Sequence, residues 1–128
     1  AGMGIRKITS ALVAEICGSI RNLTVLNLSQ NEIACIENLD RLTTLTKLDL
    51  SQNFIETIDG LDSLTQLTHL DLSTNRIGCI AGLGRLAVLE VLNLADNAIA
   101  SAETLRSLGY MRHLHTLTLS GNPLAALP

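Results

Sequence analysis

Leucine and isoleucine recur along this chain with neither the 3.6-residue period of an amphipathic helix nor the sustained alternation of a strand. In residues 45–63, LTKLDLSQNFIETIDGLDS, the apolar places are Leu45, Leu48, Leu50, Ile55, Ile58 and Leu61. The arrangement returns 22 residues earlier from Leu23 as LTVLNLSQNEIACIENLDR, and 22 residues later from Leu67 as LTHLDLSTNRIGCIAGLGR. A looser copy, LEVLNLADNAIASAETLRS, starts at Leu89. Asn31, Asn53, Asn75 and Asn97 keep the 22-residue interval, and Asn122 follows after 25. Such a period identifies a tandem repeat, and it governs every other reading of the chain.

With the first leucine of each copy at frame position 1, apolar residues fall at positions 1, 4, 6, 11, 14, 17 and 20, and asparagine at 9. Leu48-Asp49-Leu50 alternates apolar with polar and predicts a short strand with one buried face. Apolar residues at every third place beyond it predict tight helical turns. A lone copy is unstable: seven apolar side chains at roughly 1.5–3 kcal/mol each do not offset ordering 22 residues at roughly 1–2 kcal/mol apiece. Copies must therefore stack. Their strands pair in parallel at about 4.8 Å, tighter than the helical side can pack, so the stack curves with the sheet on its inner face. Asparagine in the apolar frame carries donors and an acceptor for the backbone groups left where the chain turns out of the strand. Asn31, Asn53, Asn75, Asn97 and Asn122 are thus expected to form a structural ladder.

The pattern LxxLxLxxNxIxxIxxLxxL, over about residues 20–127, strongly resembles the leucine-rich repeat, in its short 22-residue intracellular class. That class is typified by the repeat regulatory subunit of protein phosphatase 1. It includes an axonemal dynein light chain, ciliary and centrosomal proteins and a spliceosomal subunit. The resemblance implies an α/β solenoid, curved and right-handed: a parallel sheet on the concave face, short helices or 3-10 turns on the convex face, and an N-terminal capping helix. It also implies a protein partner and no catalysis. Two departures stand out. Repeat four has three extra residues, and GNPLAALP at 121–128 ends where caps of the family begin, which predicts further chain beyond Pro128.

Before the repeats, ITSALVAEICGSI places Ile8, Leu12, Val13 and Ile16 at helical spacing, with Thr9 or Ser10 as N-cap and Gly18 as a stop. Ala1-Gly2 ahead of Met3 reads as an expression scar. The expected organisation is therefore 1–2 scar, 3–22 capping helix and half repeat, and 23–128 five repeats, the last incomplete, continuous with the cap. In repeat four, SAETLRSLGYMRHL predicts an α-helix with Ser101 as N-cap, Glu103 in its first turn and Ala102, Leu105, Leu108 and Met111 on one face. Tyr110, Arg106 and Arg112 are then left either to contact downstream sequence or, the favoured reading, to solvent or self-contact.

Composition narrows the partners. The chain is 47% apolar over 128 residues, enough for one continuous core, yet only Phe54 and Tyr110 are aromatic. A net charge of −3 supplies no basic field for a phosphate backbone, which argues against direct nucleic-acid binding. Cys17, Cys35 and Cys79 are odd in number and suggest a reducing compartment. Counting back from Leu23 puts Cys17 in the core; Cys35 and Cys79 share position 13, two repeats and about 10 Å apart, too far to bridge. With no signal-like block and no 18-residue apolar run, a cytoplasmic chain is expected, with no membrane partner and a monomer as the expected state. Asn22-Leu23-Thr24 and Asn27-Leu28-Ser29 match glycosylation sequons by coincidence, Asn27 being predicted inside a strand.

Positions 3, 5, 7 and 8 are expected to face the hollow of the arc. Position 3 supplies Val25, Lys47, His69 and Val91; position 5 supplies Asn27, Asp49, Asp71 and Asn93; positions 7 and 8 are mostly serine and glutamine. Asp49 and Asp71, one strand apart, repel by about 1 kcal/mol in water and would accept a Lys or Arg between them. Phe54 at position 10 is a rim residue that either anchors a partner or packs locally. An enzyme lacks parts here: there is no enclosed carboxylate pair, no serine with a histidine in triad order and no phosphate loop. His113 and His115 make two metal ligands at most, so no metal or cofactor is expected. The expectation is a protein-interaction module binding on the concave face, as the N-terminal domain of a larger cytoplasmic or cytoskeletal protein of the cilium, flagellum or centrosome. A phosphatase regulatory subunit, a ribonucleoprotein scaffold and a structural spacer are the alternatives.

Overall fold

The computed structural model describes residues 2–19, 22–101, 105–106, 108–109 and 111–123, with the backbone alone for 17–19. One helix, α1 (Ser10–Ser19), precedes five three-residue strands: β1 (Val25–Asn27), β2 (Lys47–Asp49), β3 (His69–Asp71), β4 (Val91–Asn93) and β5 (Thr116–Thr118). The strands form one parallel sheet in sequence order. Each strand takes frame positions 3 to 5. The register sets Leu26, Leu48, Leu70, Leu92 and Leu117 in a single row.

The outer side is made of i→i−3 turns. Leu42 N–H donates to Leu39 C=O at 3.0 Å and Leu45 N–H to Leu42 C=O at 3.1 Å; the pair recurs at Leu61, Leu64 and Leu67 and at Leu83, Leu86 and Leu89. A three-residue turn eclipses every third side chain, which is why apolar residues at positions 17, 20 and 1 stack into one buried column. At position 16 the backbone is left-handed, at Asn38, Gly60 and Gly82. Glycine is required at the last two: a methyl on Gly60 would lie 2.6 Å from the Ile36 carbonyl oxygen, and one on Gly82 would overlap that of Ile58. Asn38 solves the same problem in coil one by donating Nδ2 to the Ile8 carbonyl at 2.7 Å.

Thr9 caps α1, its Oγ1 accepting the Leu12 N–H at 3.1 Å. The helix runs one residue past Gly18. Ile8 and Val13 are buried and Leu12 and Ile16 half-buried, while the Cys17 side chain lies outside the described residues. Ahead of α1, Ile5 does the work of a position-11 isoleucine: its C=O accepts the Glu32 N–H at 2.8 Å, as Ile33 does for Phe54. Gly2 N–H donates to Ser29 C=O at 3.1 Å, as Gln30 does to Ser51. Residues 2–8 are therefore an extra half coil. The repeat count conceals this, because α1 lengthens the connection and moves Ile5 out of a 22-residue frame.

The α-helix expected over 101–113 is not what its described residues form: Leu105-Arg106 and Leu108-Gly109 are 3-10 turns. Leu105, Leu108 and Met111 keep the every-third spacing of the other coils, and Met111 N–H donates to Leu108 C=O at 3.1 Å. Ala102, Glu103, Thr104, Ser107 and Tyr110 lie outside the described residues.

Candidate functional site

Position 9 is a ladder of shared amides. Asn53 Nδ2 donates to Leu50 C=O and Ser51 C=O of its own coil and to Leu28 C=O of the coil before, at 3.0, 3.1 and 3.0 Å. Its Oδ1 accepts the Ile33 N–H at 3.0 Å. Asn75 and Asn97 repeat the set one and two coils on. Asn122 joins Leu94, Leu119 and Ile99, and Asn31 accepts from Met3 and Ile5. Each amide ties two coils at the point where the strand ends, and the described residues contain no buried side-chain nitrogen or oxygen without a partner.

The exposed side of the sheet holds a shallow depression of about 360 Å³ spanning β1 to β4. Val25 and Val91 stand at its two ends, Lys47 and His69 between them, with Asn27, Asp49, Asp71 and Asn93 in the adjoining row. Val25 is 56% exposed, unusual for valine in a strand with an empty face in front of it. His69 Nδ1 lies 2.9 Å from Thr68 Oγ1.

Position 5 does more than face outward. Asp49 Oδ1 accepts both the N–H and the Oγ–H of Ser51, at 2.9 and 2.6 Å, and Asp71 takes Ser73 in the same way. Asn27 does so for Ser29, and Asn93 takes the Ala95 N–H. These are Asx turns: the side chain bonds the backbone two residues on and bends the chain off the sheet. Asn27-Leu28-Ser29 is thus a turn sequence. Position 7 is consequently turned inward at Ser29, Ser51 and Ala95, which are buried, and half-buried at Ser73, while Ser120 stays exposed; at the first three this corrects the expectation that it lines the hollow. Alternation carries a side chain outward only while the strand lasts, and each strand stops at position 5. Position 8 is driven into left-handed backbone at Gln30, Gln52, Thr74, Asp96 and Gly121. Sequence reasoning placed this column at the hollow but missed its left-handed backbone, although the D/N-x-S spacing and the glycine at 121 signalled it.

Phe54 is 39% exposed at the rim, with the Arg76 guanidinium 4.4 Å above its ring. Cys35 and Cys79 are free and exposed on the outer side. Among the described residues no group of three His, Cys, Asp or Glu is placed to hold a metal, and no helix is long and apolar enough to cross a membrane.

No curated protein matches the sequence. Among solved structures, a chain of the Drosophila melanogaster SNF/U2A' complex is 28% identical with a TM-score of 0.82, covering 97% of this chain and 74% of that one. An internalin (inlF) of Listeria monocytogenes is 30% identical, TM-score 0.72, covering 83% of this chain and 34% of that one. Internalin C2 of the same organism is 27% identical, TM-score 0.71, covering 88% and 51%. The chain thus spans about a third and about half of the two internalins. The model of tandem leucine-rich repeats matches residues 21–63 and 43–85, together half of the chain. Proteins built this way are in general non-catalytic modules for protein–protein interaction, and with its five-strand register and asparagine ladder this chain belongs to the leucine-rich repeat family.

Proposed function

We propose that the concave face binds a protein segment and that the chain works by that contact, without catalysis. One observation carries the reading: Val25 and Val91 bracket Lys47, His69, Asp49 and Asp71 in one continuous solvent-facing depression. Apolar ends with charges of both signs between them suit a mixed peptide surface, since apolar contact supplies affinity and the charges set register. Because one oxygen of Asp49 and one of Asp71 is held by the following serine, the carboxylates are fixed in direction and offer the other oxygen to a Lys or Arg. Assembly is favoured over a spacer role by the likeness to a chain held in the SNF/U2A' complex, which extends over 97% of this chain. A place within a larger cytoplasmic protein, associated with the cytoskeleton at a cilium, flagellum or centrosome, rests on the family resemblance alone.

Affinity purification tests the reading with the wild type beside Asp49→Lys/Asp71→Lys, circular dichroism verifying that both fold. Loss of specific partners from the double variant is expected. Identical partner sets would leave the concave face without a role.

A further inference from the structure

We infer that the outer face between coils three and four is a second docking site, which receives an acidic, apolar segment of a partner protein. A groove of about 750 Å³ opens there, roughly twice the concave depression. Its floor is the buried apolar column of Ile80, Leu83 and Leu86, and Met111 closes one side. Arg112 and His113 stand on the same side, both exposed and in no ion pair among the described residues.

The charge pattern selects the occupant. The outer segments of coils one and two, 33–44 and 55–66, carry Glu37, Asp40, Glu56, Asp59 and Asp62 against Arg41 alone. The outer segment of coil three, 77–88, carries Arg85 and no acid, Arg76 being held over the Phe54 ring at the rim, and coil four follows with Arg106 and Arg112 against Glu103. At positions 15 and 18, where coils one and two have Glu37/Asp59 and Asp40/Asp62, coil three has Ala81 and Gly84, both lining the groove. Among the described residues, a chain of net charge −3 therefore turns arginines outward where its carboxylates give way to an apolar groove. A basic segment would find no counter-charge among the described residues that line it and would be drawn toward coils one and two. An acidic segment with an apolar anchor finds both its complements together.

Selection of random peptides of about 12 residues displayed on phage, followed by fluorescence anisotropy on the winners, tests the site. Peptides combining Asp or Glu with Leu, Phe or Trp are expected. Their affinity should fall about tenfold or more with Arg112→Glu and with Ala87→Trp, which fills the groove from an exposed position, and should be unchanged by Asp49→Lys/Asp71→Lys. Unchanged melting curves would show that the groove variants still fold. Recovery of no binders, of lysine- or arginine-rich binders, or of binders lost only with the concave variant would overturn the inference. So would a wild-type dimer in sedimentation that Ala87→Trp dissociates, since the groove would then hold a second copy. The concave reading stands or falls separately, on the Asp49/Asp71 variant.

Discussion

Leu70 and Leu117 occupy the same place in the repeat, on strands of the same length in the same sheet, yet Leu70 is 2% exposed and Leu117 38%. Leu48 and Leu92, like Leu70, have a strand on each side and are buried to the same degree. Among the described residues, Leu117 has a strand on one side only. Leu26 at the other end, backed by the capping segment instead of a full coil, is intermediate. The seal on each coil is supplied by the next one, so the worth of a residue in this molecule is set by its coil as much as by its type.

The comparison can be broken by substitution. Leu70→Ala is expected to destabilise by roughly 2–5 kcal/mol, whereas Leu117→Ala should cost about 1 kcal/mol or less, read from urea unfolding. Equal losses would mean that stacking does not determine burial here. Gly82→Ala comes next, at roughly 2–4 kcal/mol, because it combines left-handed backbone with overlap on the Ile58 carbonyl. Gly84→Ala, two residues away with nothing near its would-be methyl, should be neutral, and a drop of similar size would contradict the placement. Asn75→Ala should cost about 1–3 kcal/mol by stripping partners from carbonyls of two coils, seen as a lower thermal midpoint. The smallest effect is a gain. Thr74→Gly relieves a β-branched residue at φ +54° and should stabilise by about 0.5–1 kcal/mol, bringing coil three into line with Gly121. A lower midpoint for that variant would show that the Thr74 side chain contributes more than its backbone costs.

Much of the fold was legible because the repeat reports on itself. One short strand per coil, turns at every third residue and a single leucine row follow from spacing alone, since only one stacking aligns Leu26, Leu48, Leu70, Leu92 and Leu117. Alternation put the strand at Leu48-Asp49-Leu50, whereas the structure has it one residue earlier, at Lys47–Asp49. The extra half coil before α1 was hidden, as Ile5 and Ile8 reach their places through a helix that resets the count. The 3-10 character of Leu105-Arg106 and Leu108-Gly109 was misread because capping residues and apolar spacing there fit an α-helix equally well. At the concave face the residues of positions 3 and 5 were identified, but the inward turn of Ser29 and Ser51 was not. An Asx turn depends on where the strand lets go, and residue alternation does not record that.

By itself the sequence determined which residues must share an interior, because a 22-residue period leaves one way to bring seven apolar side chains and an asparagine per coil out of water. Only the tertiary structure decided which polar groups are spent on the backbone and which are left for a partner. Asp49 and Asn53, four residues apart, are both short polar side chains. The first lends one oxygen to a turn and shows the other to solvent, while the second is consumed holding two coils together. That division is made by the adjacent coil, whose carbonyls and amides reach one residue and not the other.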